Sequence, residues 1–210
     1  MSSTAARIRA AATGLFAERG YDGTSVRAIC TAAGANVNAI SYHFGGKREL
    51  FVDLIRGLGD QRLASAHRIL GAPADTLAEV HTRLLLFAQE TLAAWLAEPE
   101  LLMILFAELQ LGFRNCGPEA VASLGEQRAV LESFLGTAQQ SGLLRPGVNV
   151  GIVAGTLIER LSNQVIYMKV IHASYGASIK DEEYRRTWTR QIIDLLLFGA
   201  AVAPTPAPNP

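Results

Sequence analysis

Three short apolar segments, each ending at a glycine, follow one another at the start of the chain. Their apolar residues recur three or four positions apart, which is the spacing of one face of an α-helix. The first segment predicts a helix over Thr4–Arg19, with Gly20 as its left-handed cap. The second predicts a short helix with Thr24 as its N-cap and a stop at Gly34. The third begins almost at once, so only a tight turn fits between the second and third helices.

The rest of the chain keeps the helical spacing and lacks the alternating pattern of β-strands, so the predicted fold is all-α. Its predicted helices, separated by glycines, prolines and polar turns, are Lys47–Leu70, Thr76–Ala97, Pro99–Leu111, Pro118–Ser141, Val148–His172 and Asp181–Phe198. We expect an N-terminal domain over residues 1–56, with its last helix continuing to about residue 70 as a connector, and a C-terminal helical domain over residues 74–200. The Pro/Ala-rich tail at residues 201–210 is predicted to be disordered.

Charge is unevenly distributed, although the whole chain has 19 basic and 19 acidic residues. The first 68 residues contain nine Lys and Arg residues against five Asp and Glu residues, an excess of four positive charges. Because the total is zero, the remainder carries four excess negative charges. A basic N-terminal part on an acidic remainder indicates a protein that contacts phosphates with one end only.

The cysteines and the hydropathy pattern bear on where the protein works. Cys30 and Cys116 are the only cysteines, and both lie in helical, partly apolar contexts, which favours two reduced, packed thiols. Charged residues interrupt every apolar run, so neither a signal peptide nor a membrane-spanning helix is predicted. We therefore expect a cytoplasmic protein without a membrane partner.

The second and third segments together have the pattern of a helix-turn-helix, in which the second helix presents small and polar side chains outward. Val37, Ile40 and Phe44 are predicted to face inward and hold the third helix against the first two. The residues left pointing outward or sideways are Asn36, Asn38, Ala39, Ser41, Tyr42 and His43. Asparagine can pair with adenine and an alanine methyl can contact thymine, so this surface suits a DNA groove. Asn36 suits an N-cap equally well, and a packed or capping role is open for His43.

The residues from 15 to 55 read LFAERGYDGTSVRAICTAAGANVNAISYHFGGKRELFVDLI. This stretch resembles the DNA-binding region of the TetR family of bacterial repressors. The matching features are the Phe and Gly that close the first helix, the TSVRAI opening of the second, the Ala-Gly turn, and the Tyr-His-Phe motif followed by Lys47. The string NVxxIxYHFGGK also resembles a subgroup of that family, whereas the centre of the third helix is less usual for it.

The resemblance implies a dimeric repressor that binds a palindromic operator in double-stranded DNA and releases it when a small-molecule effector binds the C-terminal domain. It also implies contacts from the third helix to bases and from the flanking residues to the DNA backbone. The residues carried over are Thr24, Ser25 and Arg27, then Asn36, Asn38 and Ala39, and finally Tyr42, His43 and Lys47. Gly57 and Gly59, in the fourth helix, are predicted to act as a hinge.

The C-terminal segments offer fewer specific signals. Isolated polar residues on apolar helices can be surface groups, interface groups or anchors of a ligand pocket, and the pocket candidates are His81, Gln89, Glu108 and Asn163. The resemblance implies that the last two long helices pair with those of a second subunit. The candidate interface residues on them are Leu157, Leu161, Val165, Trp188, Ile192 and Leu196.

Sequence motifs of enzymes are absent, and the four histidines and two cysteines are too scattered to predict a metal site. We therefore expect no catalytic residues, metal or cofactor. An interaction module that binds proteins through its helices, without sequence-specific DNA binding, stays open as an alternative, as does an enzyme whose site the sequence does not reveal.

Overall fold

A computed structural model describes residues 3–199 of the chain. Within that range it contains helices and no strands, which confirms the predicted all-α fold. The helices are α1 (Thr4–Arg19), α2 (Val26–Ala33), α3 (Asn38–Phe44), α4 (Lys47–Leu70), α5 (Leu77–Ala97), α6 (Pro99–Gln110), α7 (Ala122–Gln140), α8 (Val150–Ile166), α9 (Met168–Tyr175) and α10 (Glu182–Phe198). The predicted disorder of residues 201–210 lies outside the described residues.

Helices α1, α2 and α3 pack with the first half of α4 around one apolar core. Ile8, Ile29, Ile40 and Leu50 are fully buried there, one from each of the four helices. The helices can turn sharply between one another because Gly20 and Gly34 adopt positive φ angles of 70° and 59°. We call this unit the N-terminal bundle.

The start of α2 differs from the prediction by one residue. Ser25, rather than Thr24, is the N-cap, and its hydroxyl accepts a hydrogen bond from the backbone N–H of Ala28 at 3.1 Å. The Thr24 hydroxyl instead points inward and donates to the carbonyls of Leu15 and Gly20, at 3.1 and 2.8 Å. The prediction was wrong because either hydroxyl can cap a helix, and the sequence does not show which of two neighbours faces the core.

Two of the predicted C-terminal helices are interrupted. The segment beginning at Pro118 starts as a short 3-10 helix that ends at Val121, and α7 follows it. The predicted helix Val148–His172 is divided at Tyr167, whose N–H bonds to the carbonyls of Asn163 and Val165. No glycine or proline marks that break, so it could not be predicted from the residue types there.

A second apolar core joins the later part of α4 to α5, α7, α8 and α10. Helix α6 contributes to both cores, since Leu102 packs in the second whereas Leu101, Ile104 and Leu105 pack against the N-terminal bundle. Cys116 also packs with that bundle. Residues 101–120 therefore pack against both cores, which belong to regions that were predicted to be separate domains.

Both cysteines are free and buried, as the sequence predicted. Burial, together with the nearby Glu108 carboxylate, raises the pKa of the Cys116 thiol to about 11. Among residues 3–199, no helix has the length and apolar character needed to cross a bilayer.

Candidate nucleic-acid interface and internal cavity

The turn between α2 and α3 sets the position of α3 on the protein surface. Gly34 closes α2, and the N–H of Ala35 then bonds to the carbonyl of Cys30 at 2.9 Å. The Asn36 side chain accepts a hydrogen bond from the N–H of Asn38, the first residue of α3, also at 2.9 Å, whereas Val37 occupies the N-cap position. Ile40 is fully buried and fixes the inner face of the helix.

The outer face of α3 carries most of the residues expected to meet DNA. Asn36, Asn38, Tyr42 and His43 are exposed, and Ala39 is half-buried. The Tyr42 side chain is 84% exposed, and its ring meets the His43 ring edge-on. We call this surface the α3 face. It presents amide, phenol and imidazole groups together, on a helix held from behind by apolar packing.

Lys47 begins α4, directly after the glycines that follow α3. Its ammonium lies 4.1 Å from the centroid of the Tyr21 ring, a cation–π contact that draws the side chain back along the N-terminal bundle. Burial and the Glu49 carboxylate raise the pKa of the Tyr21 phenol above its usual value, so the ring beneath the cation is neutral at neutral pH. The lysine is half-buried and stays near the edge of the α3 face.

The three residues expected at the start of α2 have different environments. Thr24 is 1% exposed, so its expected DNA contact is corrected to a structural role inside the bundle. Ser25 and Arg27 are exposed, and the Ser25 hydroxyl also caps α2.

Val37 was expected to be a core residue, and that expectation was wrong, since its side chain is 50% exposed. It precedes the first full turn of α3, where the turn geometry rather than the apolar spacing decides the direction of the side chain. Phe44 is half-buried, and the Arg9 guanidinium lies 5.6 Å from its ring centroid.

The four expected pocket residues do not come together in a cavity. His81 lies 2.7 Å from a carboxylate oxygen of Asp194, and Gln89 is exposed on α5. Glu108 is buried, but its carboxylate accepts bonds from the backbone and side chain of Asn115 at 3.1 and 2.7 Å, which fastens the loop after α6. Asn163 is half-buried on α8. None of the four lines the cavity described next.

A cavity of about 350 Å³ lies between α4, α5, α6, α7 and α8. Its walls are mainly apolar, and its polar lining includes Arg62, Gln127 and Ser162. Arg62 is 3% exposed, and its guanidinium stacks 4.7 Å from the Trp95 ring centroid. Burial lowers the pKa of Arg62 to about 9, although the charge of Glu98 opposes the shift, so the side chain is still cationic at neutral pH.

Sequence reasoning overlooked Arg62. A usable signal was present, because Leu58, Ala66 and Ile69 share its helical face and are all buried. An arginine inside such an apolar stripe needs a partner for its charge. Within residues 3–199, no cluster of three or more metal-ligating side chains is present at this cavity or elsewhere.

The expected interface residues divide into two groups. Leu157, Leu161 and Val165 are buried in the protomer's own core, so their side chains cannot reach a second subunit. Trp188, Ile192 and Leu196 are half-buried against the same core. The large apolar residues that α8 and α10 leave exposed are Ile152, Leu195 and Phe198.

Comparisons with known proteins agree with this architecture. Residues 8–54, which include the whole helix-turn-helix, match the sequence profile of "Bacterial regulatory proteins, tetR family". The transcriptional repressor NicS of Pseudomonas putida is 25% identical over 201 residues, covering 91% of this chain and 90% of NicS. The repressor KstR2 of Mycobacterium tuberculosis is 36% identical over 66 residues, which are 31% of this chain and 33% of KstR2.

Solved structures share the fold along nearly the whole chain. The structure of KstR2 from Mycobacterium tuberculosis aligns with a TM-score of 0.72 and 21% identity, covering 95% of each chain. The regulator FadR of Bacillus subtilis, solved in complex with stearoyl-CoA, aligns with a TM-score of 0.68 and 18% identity, covering 93% of this chain and 99% of FadR. These findings do not favour a protein-binding module without DNA recognition. The chain belongs to the TetR family of DNA-binding transcriptional regulators.

Proposed function

We propose that this regulator is a repressor that binds a two-fold symmetric operator as a homodimer and releases it when a small molecule enters the cavity beside Arg62. The observation that carries the DNA-binding part is the α3 face, which is polar and exposed while Ile40 holds the helix from behind. A protein with this role works in the compartment that holds the bacterial chromosome, the cytoplasm.

The exposed residues divide by the DNA groups that they can reach. Asn38 and Ala39 suit base edges in the major groove, and Asn36 can add an amide contact while its side-chain oxygen accepts from the N–H of Asn38. The expected contacts to the phosphate backbone are Ser25, Arg27, Tyr42, His43 and Lys47. Of the two cations among these, Lys47 is already held against the Tyr21 ring. Its side chain therefore loses less conformational freedom when it binds DNA.

Two copies of the α3 face must act together, because one short helix covers only half of a symmetric site. A two-fold dimer would set them in successive major grooves, roughly 34 to 36 Å apart. The exposed apolar residues Ile152, Leu195 and Phe198 support a dimer interface on α8 and α10. Phe198 and the first turn of α8 line one apolar hollow, so these residues lie towards the same end of the helix pair.

Effector binding is supported by the cavity and by a structural neighbour. The solved FadR of Bacillus subtilis holds stearoyl-CoA, so a protein of this fold can bind a small molecule. A difference of roughly 1–3 kcal/mol in effector affinity between the DNA-bound and released conformers would lower operator affinity about 5- to 150-fold.

The deciding experiment is selection of bound duplexes from a random pool, followed by titration of the recovered sequence. We expect a palindrome, and we expect Asn38→Ala and Tyr42→Ala to weaken its binding by at least tenfold. Gln110→Ala, an exposed change on α6, is the matched control and should bind normally. Normal binding by both α3 variants, or a protein that is monomeric at micromolar concentration, would refute this proposal.

A further inference from the structure

We propose that Arg62 is the anchor for an effector that carries a single carboxylate on a small apolar body. This inference rests on the proposed function, since it names the chemical class of the small molecule that releases the operator. It follows from the groups that line the cavity and from two of them, Arg62 and Trp95, whose buried N–H groups have no acceptor within residues 3–199.

The Arg62 guanidinium is buried without a hydrogen-bond acceptor. Its Nε, Nη1 and Nη2 atoms are all inaccessible, and none of them finds a partner in the described part of the chain. The indole Nε1 of Trp95, which stacks against the guanidinium, is also buried and unpartnered. Both residues line the same cavity. The cavity therefore brings together donors that make no hydrogen bond within the described part of the chain.

Neighbouring side chains do not supply the missing acceptor. Glu98 is the carboxylate whose charge acts on Arg62, yet the two residues form no ion pair. Gln164 has a buried, unpartnered amide oxygen, but it does not line the cavity. Burying a cation without a partner costs desolvation free energy. An unpaired buried arginine therefore indicates a site that is completed by a bound anion.

A carboxylate has the geometry and the charge that this arrangement requires. The planar guanidinium presents paired N–H groups that match the two oxygens of a carboxylate. Arg128 also lines the cavity, but its charge is paired with Glu132 at 2.6 Å. Arg62 is therefore the cation that one negative charge on the ligand would neutralise, which favours a monoanion over a phosphate dianion. A cationic ligand would repel Arg62, and an uncharged one would leave the positive charge uncompensated.

The rest of the cavity determines the body of the ligand. Leu102, Leu105, Phe106 and Ile158 line it, and its volume of about 350 Å³ is near the lower end of the range of roughly 300 to 1,000 Å³ for small-molecule pockets. Gln127 and Ser162 are polar lining residues that could contact a second group on the ligand. An aromatic or medium-chain aliphatic acid fits this lining.

The test measures binding of hexanoate, octanoate, phenylacetate, their primary amides and octanoyl-CoA by calorimetry. We expect one or more acids to bind wild-type protein, and each acid that binds to do so roughly tenfold or more tightly than its amide, because the amide has no charge to pair with the guanidinium. Arg62→Met should abolish this preference. Arg56→Met, which removes an exposed arginine from the same helix, is the matched control and should retain it.

Thermal unfolding without ligand gives a second readout. Arg62→Met should raise the unfolding midpoint by roughly 2 °C or more, because an apolar side chain of similar volume replaces an unpaired buried charge. A folded variant with a higher midpoint excludes misfolding as the reason for lost acid binding. The acids should also release the selected operator from wild-type protein and fail to release it from this variant.

The outcomes separate this inference from the proposed function. The inference is overturned if no acid binds, if acid and amide bind equally, if Arg62→Met binds acids normally, or if octanoyl-CoA alone binds. If the protein selects a palindromic operator but fails these binding tests, the proposed function stands and only the carboxylate class of the effector is refuted. Acid binding through Arg62 in a protein that selects no DNA would refute the proposed function and leave the anion site standing.

Discussion

Replacing Thr24 by valine tests whether this residue supports the N-terminal bundle or contacts DNA. Its side chain is 1% exposed, and the hydroxyl donates to the carbonyls of Leu15 and Gly20 at 3.1 and 2.8 Å. Valine keeps the shape of the side chain but removes the donor, so both carbonyls lose a partly buried hydrogen bond. We expect the free energy of unfolding to fall by about 1–3 kcal/mol.

Urea denaturation of wild-type, Thr24→Val and Thr24→Ser proteins measures that loss. The midpoint should fall for valine with no change in the slope of the free energy against urea, because the surface exposed on unfolding is the same. Serine keeps the hydroxyl and should recover most of the loss.

The same variants are then titrated with operator DNA at several salt concentrations, well below the denaturation midpoint. Thr24→Val should keep the salt dependence of the wild-type protein, since its hydroxyl does not reach the surface. If Thr24→Val were as stable as the wild-type protein and its operator affinity depended less steeply on salt, the hydroxyl would point outward to a phosphate. The structural role assigned to Thr24 would then be refuted.

Three further changes test other parts of the structure. Lys47→Met should lower the slope of log affinity against log salt by about one unit, measured by fluorescence anisotropy, whereas Arg56→Met should leave it unchanged. Ile152→Asp should shift the protein towards monomers in analytical ultracentrifugation, whereas Leu157→Ala should cost about 2–5 kcal/mol of unfolding free energy and leave association of the folded protein intact. The pKa of Glu90 is lowered by bonds from an arginine and a serine on α4, so its stabilisation is present above the unfolded pKa of 4.5 and is lost as pH falls through the folded value. Glu90→Gln should therefore cost about 0.2–1 kcal/mol at pH 7 and nothing at a pH well below the folded pKa.

Helix positions could be predicted from the sequence wherever a local group fixes a helix end. Gly20 and Gly34 end α1 and α2 because each adopts a positive φ angle, which is unfavourable for residues other than glycine. Thr76 and Asp181 are the N-caps of α5 and α10, and their side chains accept hydrogen bonds from backbone N–H groups in the first turn. By contrast, the division between α8 and α9 has no such local mark and could not be predicted.

The direction of individual side chains was less predictable, because it depends on packing between helices distant in sequence. Helix α8 is apolar on more than one face, so its composition could not show that Leu157 faces the protomer's own core and Ile152 faces outward. Thr24 and Ser25 are equally good caps by residue type, and only the approach of α1 selects between them. The α3 face was predictable, since one buried residue, Ile40, fixes the orientation of a short helix.

The cavity and the N-terminal bundle share two helices, which gives the proposed effector a direct route to the DNA-binding surface. Helix α4 contributes Leu50 to the bundle core and Arg62 to the cavity, and on α6 Leu105 touches both. Gly59 lies between these regions on α4, where a Cβ atom would come 3.0 Å from Ser123 on α7. That close approach makes α4 pack tightly on α7 at Gly59, whereas a Cβ atom at Gly57, the other predicted hinge residue, would meet nothing within 4 Å. If an anion draws Arg62 towards the cavity, we expect α4 to turn about the Gly59 contact and to move the α3 face with it, which is the displacement that release of a paired-groove operator requires.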